Sequence, residues 1–534
     1  MSGRDRYYIT TTIPYVNGKP HIGHAQEFAQ TDAFGRYHRL RGDDTYVLTG
    51  TDENALKNVQ AAEKEGVSTR ELVDRNAQRF RELAEGLNLS FDQFIRTSVD
   101  PRHKAGAEKI WAAVAASGDI YRKYYSGLYC VGCERYYEAS ELTDGLCPEH
   151  EVAPELIEEE NYFFRLSRYG DQLHELIASN QILVLPETRR NEALSFISRG
   201  LQDISISRST ERARNWGIPV PGDPSQVIYV WFDALANYLT ALDYAADGEL
   251  YQKYWVDNPH RVHDLGKGVI RFHAIYWPAM LLSAGLALPT VIFVHGYINV
   301  AGTKVSKSLG NAIDPEKLVN EYGSEAVRYY LLRAASATAD HNFTYEALET
   351  RYNADLANDL GNLVNRTLSM LTRYRGGEVP APGDQAETEK ALQETAENIP
   401  PQVSQALDDY NPQAALDISW QLVTRANKYV EETAPWQLAK QEHQGDSEAA
   451  ERLSTVLYTL GESVRLIGVL LEPFLPETAG KILEQLGCAQ SEPAGWADAL
   501  TWGRSEPGTT VAAPEPLFPR RDVVPRTAGE ATPR

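Results

Sequence analysis

The sequence has 534 residues, of which 43% are hydrophobic, enough for two to four domains with sizeable cores. Its formal net charge of −22 argues against a protein that coats nucleic acid or anionic membrane non-specifically, although a structured RNA could still bind to local basic patches. The N-terminus lacks the apolar core of a signal peptide, and no run of residues reaches transmembrane length. We therefore expect a cytoplasmic protein that has no membrane partner.

The first hundred residues predict a parallel sheet with helices between its strands. Strands are predicted at 7–12, 44–49 and 91–97. Helices are predicted from His21, over 53–65, and from a capping box at Ser68. This alternation is typical of a doubly wound, Rossmann-type α/β fold. Ligands of such sheets bind at the carboxyl ends of the strands, where the loop before His21 and the segment 50–53 both lie.

The alternation stops between 119 and 217, where cysteines and aromatic, hairpin-like runs predict an insertion with its own small fold. Strands of the parallel sheet are predicted again at 227–232, 263–265 and 290–294, so the nucleotide-type fold is split by the insertion. A helical pattern then runs from 314 to about 487, with apolar spacing over 345–374, 402–419 continuing to 432, and 450–471. It predicts a separate helical bundle, followed by a tail that we expect to be disordered beyond Pro519.

His21 and His24 lie three residues apart at the start of the first predicted helix, with Gly23 between them. The first N–H groups of a helix lack intrahelical partners and favour an anion, and a glycine lets a flat ligand approach the backbone. The pair could form a phosphate cradle or half of a metal site. Histidines at this spacing are also common as packing or capping groups.

Three of the four cysteines are crowded together and form two short ligand pairs with a histidine. The pairs are Cys130 with Cys133 and Cys147 with His150. Two such turns form a tetrahedral Zn²⁺ site, and four protein ligands leave no position open for water, so the zinc should be structural. The alternative is a set of unrelated buried thiols. Cys488 stands alone and is interpreted as an inert core thiol.

The segment 303–308 places Lys304 and Lys307 on one side of a flexible turn, which by itself is typical of a solvated basic loop. Together with the histidine pair in a split parallel sheet, it resembles a known family. The class I aminoacyl-tRNA synthetases carry the signatures HIGH and KMSKS, which stand here as His21-Ile-Gly-His24 and Lys304-Val-Ser-Lys-Ser308.

Further motifs resemble the methionyl-tRNA synthetase family within class I. They are TTTIPYVNGKPHIGHA, TGTDE, the single CxxC…CxxH knuckle, YVWFDAL, FHAIYWPAML, NADLANDLGNLVNR and NKYVEETAPWQLAK, in the family's order from Tyr7 to about Phe518. The resemblance implies a two-step reaction. L-Methionine and ATP, with Mg²⁺, give methionyl-adenylate and pyrophosphate, and the methionyl group then passes to the 3′ end of tRNA(Met) for initiation and elongation.

The resemblance also implies a division of the chain. Residues 1–118 and 218–295 form the two halves of a Rossmann-type catalytic domain, and 119–217 form a connective insertion with the zinc knuckle. Residues 296–345 form a stem-contact segment with the KVSKS loop, 346–504 a helical anticodon-binding domain, and 505–534 a partly disordered tail.

The site residues are implied by matching the family's motifs position by position. The catalytic set is His21, His24, Lys304 and Lys307, and Asn17 and Gly23 join these four in binding ATP. The methionine site comprises Ile13, Tyr15, Asp52, Trp231, Ala234, Leu235, Tyr238, Val269 and His273. The anticodon set is Asn362, Arg366, Asn427 and Trp436. From spacing alone, the aromatic members would be interpreted as core.

Three positions depart from the family's usual pattern. Val305 replaces the methionine of KMSKS, Asn54 stands where histidine is common, and Gly268 stands where an acidic residue usually follows Gly-Lys. A synthetase for valine, leucine or isoleucine would be expected to carry a much larger insertion than 119–217. A catalytically weak RNA-binding paralogue that keeps the fold and the zinc knuckle is the other alternative. We also expect a monomer, because the sequence does not continue into the additional dimerising domain of some family members.

Overall fold

The computed structural model describes residues 5–130, 135–137, 139–148, 151–300, 303–304, 313–334, 338–490 and 495–522. Of the predicted site residues, Cys133, His150 and Lys307 lie outside these ranges, as does the departure at Val305. Lys304 is described only as part of a short strand.

A six-stranded, all-parallel sheet forms the centre of the catalytic half. Its strands, in spatial order, are Gln93–Arg96, Asp44–Thr51, Arg6–Thr10, His260–Gly266, Val291–His295 and Leu183–Leu185. The order runs outward in both directions from the first strand, so the sheet is doubly wound, as predicted. Its switch point lies between Arg6–Thr10 and His260–Gly266, and a crevice for ligands is expected there.

Two predictions about the sheet are wrong. The run 227–232 is not a strand of it, because Gln226–Ile228 pairs antiparallel with Ser207–Ser209 and the chain then turns into a helix at Val230. Conversely, Leu183–Leu185 lies inside the predicted insertion but pairs with Val291–Phe293 at the edge of the parallel sheet. The insertion is therefore not a fold of its own over its whole length.

Helices cover both faces of the sheet. The longer ones are Ile22–Arg41, Leu56–Glu65, Thr69–Gly86, Pro101–Ala116 and Trp277–Ser283. Shorter turns follow the strands at Val230–Leu235, Asn237–Thr240, Tyr244–Ala246, Glu249–Tyr251, Gln252–Val256, Lys267–Val269 and Phe272–Tyr276. Ser68 caps its helix as predicted, accepting the N–H of Glu71 at 3.1 Å. The second helix begins at Leu56 and not at Glu53, whose carboxylate instead binds Arg96.

The insertion is built on a long antiparallel hairpin, as its aromatic runs predicted. Ile120–Cys130 pairs with Glu155–Phe164, and Arg135–Tyr137 and Ile204–Ser205 complete a four-stranded sheet. Its helical elements are Ala139–Glu141, Leu166–Tyr169, Gly170–Ala178 and Glu187–Ser198. A second small sheet consists of Ser207–Ser209, Pro219–Val220 and Asp223–Ile228.

The remainder of the described chain is mainly helical. Its helices are Pro315–Tyr322, Ser324–Arg333, Tyr345–Arg351, Tyr352–Gly361, Asn362–Arg375, Glu387–Asp408, Pro412–Thr433, Pro435–Glu442, Ser447–Leu471, Pro476–Gln485 and Trp496–Ala499. A small sheet of Ile298–Val300, Thr303–Lys304 and His341–Phe343 precedes them.

The predicted continuous helix over 402–419 is wrong. The chain breaks at Tyr410, which has a φ of +56°, and Pro412 starts the next helix. Within the described residues, only Ser447–Leu471 is long and apolar enough to cross a membrane, and 94% of its most apolar window is buried inside the protein. We interpret it as the core helix of the bundle.

The expected disorder beyond Pro519 does not hold for the residues up to Asp522. Tyr352 donates its hydroxyl proton to the carbonyl of Pro519 at 2.9 Å, and the N–H of Arg521 binds the side-chain oxygen of Asn353 at 3.0 Å. Composition alone predicted disorder, because it carries no information on whether the tail packs against another segment.

One arginine joins the catalytic half to the helical bundle. Arg328, fully buried, lies 2.8 Å from the Asp32 carboxylate on Ile22–Arg41. It also donates to the carbonyls of Leu87 at 3.1 Å and Phe474 at 2.9 Å. These contacts fix the first helix against both neighbouring layers.

Candidate active site

The histidine pair is arranged by the start of the first helix. His21 is the N-cap residue, and its Nδ1 accepts the N–H of Gly23 at 3.2 Å. The Nδ1 of His24 accepts the N–H of His21 at 3.1 Å, and the two rings stack with centroids 3.7 Å apart. Because both Nδ1 atoms accept hydrogen bonds, a neutral ring carries its proton on Nε2. The pair therefore presents two N–H donors at a helix N-terminus, which is an arrangement for binding an anion.

Asn17, Gly23 and the segment at Ile313 all lie at the start of the same helix. Asn17 lies in the bend that precedes the helix, and a Cβ at Gly23 would lie only 3.1 Å from the ring of His21. The N–H of Ile22 binds the carbonyl of Ile313 at 3.1 Å, which ties the start of the helix to the segment that follows the lysine loop.

Most of the predicted methionine site is brought together beside the switch point. Asp52 directly follows the strand Asp44–Thr51 and has 2% of its surface exposed. Its N–H donates to the carbonyl of Pro14 at 2.9 Å. Tyr15 is paired with Asp52 in an isolated bridge and meets Trp231 edge to face, with centroids 6.2 Å apart. Trp231 in turn lies edge-on to His273 at 6.4 Å. The aromatic residues thus lie next to a buried carboxylate.

The remaining members of the set pack into the same region. Ile13, Leu235, Tyr238 and Val269 belong to one apolar cluster with Trp231, and Ala234 is buried on the short helix Val230–Leu235. The sequence did not single out Phe272, whose ring stacks on Trp231 at 3.7 Å. The available signals were its place at the start of the FHAIYWPAML motif and its position next to His273.

His273 is held as a neutral ring. Its Nδ1 donates to the carbonyl of Val269 at 3.0 Å, and its Nε2 accepts the hydroxyl of Tyr238 at 2.7 Å. Burial lowers the pKa of His273 to about 4. An uncharged ring suits a slot for an apolar side chain, since a buried charge there would need a counter-ion.

The departure at Asn54 has a structural counterpart. The Asn54 amide donates to the carboxylate of Asp233 at 2.7 Å, and the same carboxylate binds the Nε2 of His103. The other ring nitrogen of His103 binds Thr240 at 2.8 Å. Asn54 therefore helps to fix the short helix that carries Trp231.

A buried ion pair that the sequence did not suggest lies under the histidine helix. Glu27 accepts the N–H and hydroxyl of Thr12 at 2.7 and 2.6 Å, and its other oxygen lies 2.9 Å from His295 Nε2. His295 Nδ1 donates to the carbonyl of Gly296 at 2.7 Å, so both ring nitrogens carry protons. Burial alone would lower the pKa of His295, but the bonded Glu27 carboxylate outweighs burial and raises it to about 9.

We expect His295 to remain charged well above neutral pH. The ion pair stabilises the folded protein fully below about pH 6.5 and loses its effect as the pH rises through about 9. Carbon-13-labelled histidine NMR should show the ring titrating near pH 9. Glu27→Gln should lower the pKa of His295, because burial is then opposed only by Asp264 and by the carbonyl of Gly296. The His295→Gln variant assigns the resonance. The same pKa in the wild type and in Glu27→Gln would contradict the ion pair.

The predicted anticodon residues share one surface of the bundle. Arg366 donates to Glu431 at 2.8 Å, and its guanidinium lies 5.9 Å from the centre of the Trp436 ring. Trp436 is 42% exposed, and Asn362 is also exposed. Asn427 differs, because its amide donates to the carbonyls of Asp359 and Val423 at 2.9 and 3.1 Å. It retains its side-chain oxygen as an acceptor.

Two of the four predicted zinc ligands are described. Cys130 and Cys147 are both buried and pack in one cluster with Tyr137, whose hydroxyl oxygen lies 3.3 Å from the Cys147 sulfur. Within the described ranges, no three histidine, cysteine or acidic side chains are grouped as a metal site. Buried thiols at the end of a hairpin fit the donor chemistry that zinc prefers.

Comparison with known proteins agrees with this geometry. A family model described as tRNA synthetases class I (M) matches residues 7–153 and 138–368. The doubly wound sheet and the histidine pair at its switch point are thus those of a class I aminoacyl-tRNA synthetase. A second model, for the anticodon binding domain of methionyl tRNA ligase, matches residues 379–523. The chain belongs to the methionyl-tRNA synthetase family.

Individual relatives match over nearly the whole chain. The methionine–tRNA ligase of Brucella melitensis is 46% identical over 521 residues, which are 97% of this chain and 98% of that protein. That of Caldanaerobacter subterraneus subsp. tengcongensis is 46% identical over 518 residues, 97% of this chain and 79% of the relative.

Solved structures of the Mycobacterium tuberculosis methionyl-tRNA synthetase are also similar. The complex with methionyl-adenylate has a TM-score of 0.91 at 44% identity and covers 97% of this chain and 100% of that one. The free form has a TM-score of 0.85 at 41% identity, covering 98% and 99%.

Proposed function

We propose that the chain activates L-methionine with ATP as methionyl-adenylate, releases pyrophosphate, and transfers the methionyl group to the 3′ end of tRNA(Met). The observation that carries the proposal is the juxtaposition of two elements at the sheet's switch point. One is the N–H donor pair His21–His24, and the other is the buried Asp52 beside the Trp231 slot. Family membership supports the same reaction. Membership of the methionyl-tRNA synthetase family argues against a synthetase for another apolar amino acid.

The first step needs charge stabilisation and no general base, because the carboxylate of methionine is already ionised at neutral pH. Negative charge concentrates on the α-phosphate and the departing pyrophosphate, where N–H donors and cations lower the barrier. His21 and His24 would supply Nε2–H donors there, with Asn17 and the backbone of Gly23 beside them. Lys304 and Lys307 would close over the phosphates on their loop. Mg²⁺ bound with ATP would neutralise further phosphate charge.

In the methionine site, Asp52 would bind the ammonium group. The thioether would lie against Tyr15 and Trp231, because polarisable sulfur packs favourably against rings. Neutral His273 and Tyr238 would bound the slot without adding charge. Ile13, Ala234, Leu235 and Val269 complete its apolar wall in this proposal.

The anticodon of tRNA(Met) would bind at the exposed surface of the bundle. Trp436 offers a stacking face to an unstacked base, and Asn362 and Arg366 offer hydrogen-bond donors. Asn427 would contribute its oxygen. This surface is local, so it does not conflict with the net charge of the whole chain.

A structural Zn²⁺ held by Cys130, Cys133, Cys147 and His150 completes the proposal. Cys147→Ser should abolish stoichiometric zinc, because three ligands bind the ion far less tightly than four thiolate or imidazole donors. Elemental analysis of the purified protein measures this, and Cys488→Ser is the matched control. We expect about one zinc per chain in the natural protein and in the control. Wild-type protein that lacks zinc after growth in zinc-supplemented medium would contradict the site.

The domain division at 118, 217, 295, 345 and 504, cytoplasmic location and a monomeric state remain predictions. Light scattering at micromolar concentration tests the monomer, and a stable dimer would contradict it.

The reaction is tested by amino-acid-dependent ATP–pyrophosphate exchange with each of the twenty amino acids and Mg²⁺. We expect exchange with methionine alone. Lys307→Ala should reduce it about 100-fold or more, the usual range for a lost transition-state charge contact. Lys317→Ala, an exposed lysine on the next helix, is the control. No exchange with any amino acid in folded protein would leave an inactive RNA-binding paralogue as the better account.

A further inference from the structure

A buried carboxylate beside the methionine site joins three segments of the catalytic half. Asp233 is fully buried, and its carboxylate accepts the amide N–H of Asn54 at 2.7 Å and also binds His103 Nε2. The other ring nitrogen of His103 lies 2.8 Å from the hydroxyl oxygen of Thr240. His103 and Thr240 are fully buried as well. These four side chains form one connected polar group, which we call the Asp233 network.

Three members of the network each lie two positions after a residue of the predicted methionine site. Asn54 follows Asp52, Asp233 follows Trp231, and Thr240 follows Tyr238. Asp233 and Thr240 lie on the short helices Val230–Leu235 and Asn237–Thr240. Residues two positions apart on a helix point to nearly opposite sides, because each residue turns the helix by about 100°. Asp233 and Thr240 therefore lie behind the side chains that face the methionine site.

The network fixes the helix Val230–Leu235 relative to the segment that contains Asp52. A helix of six residues is not stable by itself, so its position depends on contacts with other segments. A carboxylate can be buried only if its hydrogen bonds are made, so Asn54 and His103 must stay within bonding distance of Asp233. Neither segment can shift without breaking one of these bonds.

A glycine lets the helix Pro101–Ala116 approach closely enough to complete the network. A methyl group built at Gly106 would overlap the Cγ2 atom of Thr240. His103 lies one turn before Gly106 on the same helix, so it bonds to Thr240 only because the helix packs this closely. Glycine weakens a helix interior relative to alanine, and the close contact with Thr240 accounts for its presence here.

We infer that Asp233 and His103 are positioning residues that set the distance between Asp52 and the aromatic wall of the methionine site. The inference rests on the proposed function and assigns the basis of its amino-acid specificity. In that function Asp52 binds the ammonium group and Trp231 contacts the thioether, so a side chain of one length fits both. A site whose ends are fixed discriminates by length, whereas a site whose ends can move adapts to its ligand. The network thus favours methionine over shorter and longer unbranched amino acids.

Asp233→Asn tests the inference in ATP–pyrophosphate exchange with three amino acids. They are methionine, norvaline, whose side chain is one atom shorter, and ethionine, whose side chain is one methylene longer. We expect the KM for methionine to rise about tenfold, because a small misplacement of a binding group is costly, while the KM for ATP should change less than about twofold. The preference for methionine over each analogue, as a ratio of kcat/KM values, should fall about fivefold or more.

Three milder variants test the same network while keeping the Asp233 carboxylate. Asn54→Ala and Thr240→Val each remove one hydrogen bond, and Gly106→Ala separates His103 from Thr240. Each should lower the preference for methionine about twofold or more. Gly106→Ala is the sharpest of these, because alanine strengthens an isolated helix and should still lower the preference.

Two variants outside the methionine site are the matched controls. Asp119→Asn matches Asp233→Asn, because Asp119 is also a buried carboxylate, bound by Arg168, Tyr169 and Ser283. Gly86→Ala matches Gly106→Ala, because its new methyl group would meet Val319 at 3.9 Å without overlap. Both controls should keep the wild-type ratios of kcat/KM.

Unchanged ratios in Asp233→Asn and in the milder variants would overturn the inference, as would an equal loss with all three amino acids. The ratios do not depend on the fraction of folded protein, because the three amino acids are measured on the same preparation. If Asp233→Asn does not fold, the three milder variants decide by the same criterion. Failure of the proposed function would differ, because the wild type itself would then show no exchange with methionine.

Discussion

Asp52→Asn should lower kcat/KM for methionine about 30-fold or more. The carboxylate is buried at the end of its strand, so it and the ammonium group of methionine would meet largely out of water. Removing one partner of such a desolvated charge pair costs about 2 to 5 kcal/mol, because the other charge is left uncompensated. At about 1.4 kcal/mol for each tenfold change, the loss exceeds one order of magnitude even at the lower limit.

The measurement is methionine-dependent exchange, titrated separately with methionine and with ATP. The effect should fall on methionine, and the KM for ATP should change little. Asp74→Asn is the matched control, because Asp74 is a half-exposed partner of Arg96 outside the slot. Wild-type KM for methionine in Asp52→Asn would show that the ammonium group binds elsewhere.

The sequence predicted best where function depends on local chemistry. The spacing of His21, Gly23 and His24 at a helix start needs only neighbouring residues, and the capping geometry agrees with it. The strands predicted at 44–49, 263–265 and 290–294 correspond to Asp44–Thr51, His260–Gly266 and Val291–His295, which lie in the sheet. Resemblance to the family then implied roles that the local sequence pattern does not indicate, such as that of Trp231 in the methionine site.

The two wrong predictions about the parallel sheet share a cause in long-range pairing. Leu183–Leu185 is three residues long, and only its register with Val291–Phe293 makes it a strand of the parallel sheet. The run 227–232 has the composition of a buried strand, but Ile228 pairs antiparallel with Ser207 and the following residues turn into the short helix that carries Trp231. Local pattern carries no information about which segment a strand pairs with.

Local pattern is equally uninformative about the buried ion pair. Glu27 and His295 are separated by 268 positions in the sequence, and nothing near either residue suggests a charged pair. Contacts of this kind can be found only once the sheet order is known.

Arg328→Met should reduce the free energy of unfolding by about 3 to 5 kcal/mol. The variant leaves the carboxylate of Asp32 buried with a weaker set of partners, and uncompensated buried charge is the costly outcome when an ion pair is broken. It also removes the donors to the carbonyls of Leu87 and Phe474. The segments that contain Asp32, Leu87 and Phe474 would thus lose the side chain that contacts all three.

Urea-induced unfolding measures this effect, with Arg75→Ala as the control. Arg75 pairs with Glu65 at the surface, where both side chains are more than a third exposed, so its loss should cost less than 1 kcal/mol. Asp32→Asn combined with Arg328→Met should be less destabilised than the sum of the two single variants, because the double variant leaves neither member of the pair buried without the other. Additive effects would show that the two side chains do not act as a pair.

The pH dependence provides an independent test of the same pair. Burial would raise the pKa of Asp32, but Arg328, Arg36 and the Ser90 donors outweigh burial and lower it to about 2. A lowered pKa means that the carboxylate stabilises the fold above pH 4 and loses this effect as the pH falls towards 2. In Arg328→Met the pKa of Asp32 should rise, so part of the acid-induced loss of stability should begin at a higher pH.

Because Arg328 connects the histidine helix to the bundle, the variant should also unfold the two halves less cooperatively, giving a lower urea m-value.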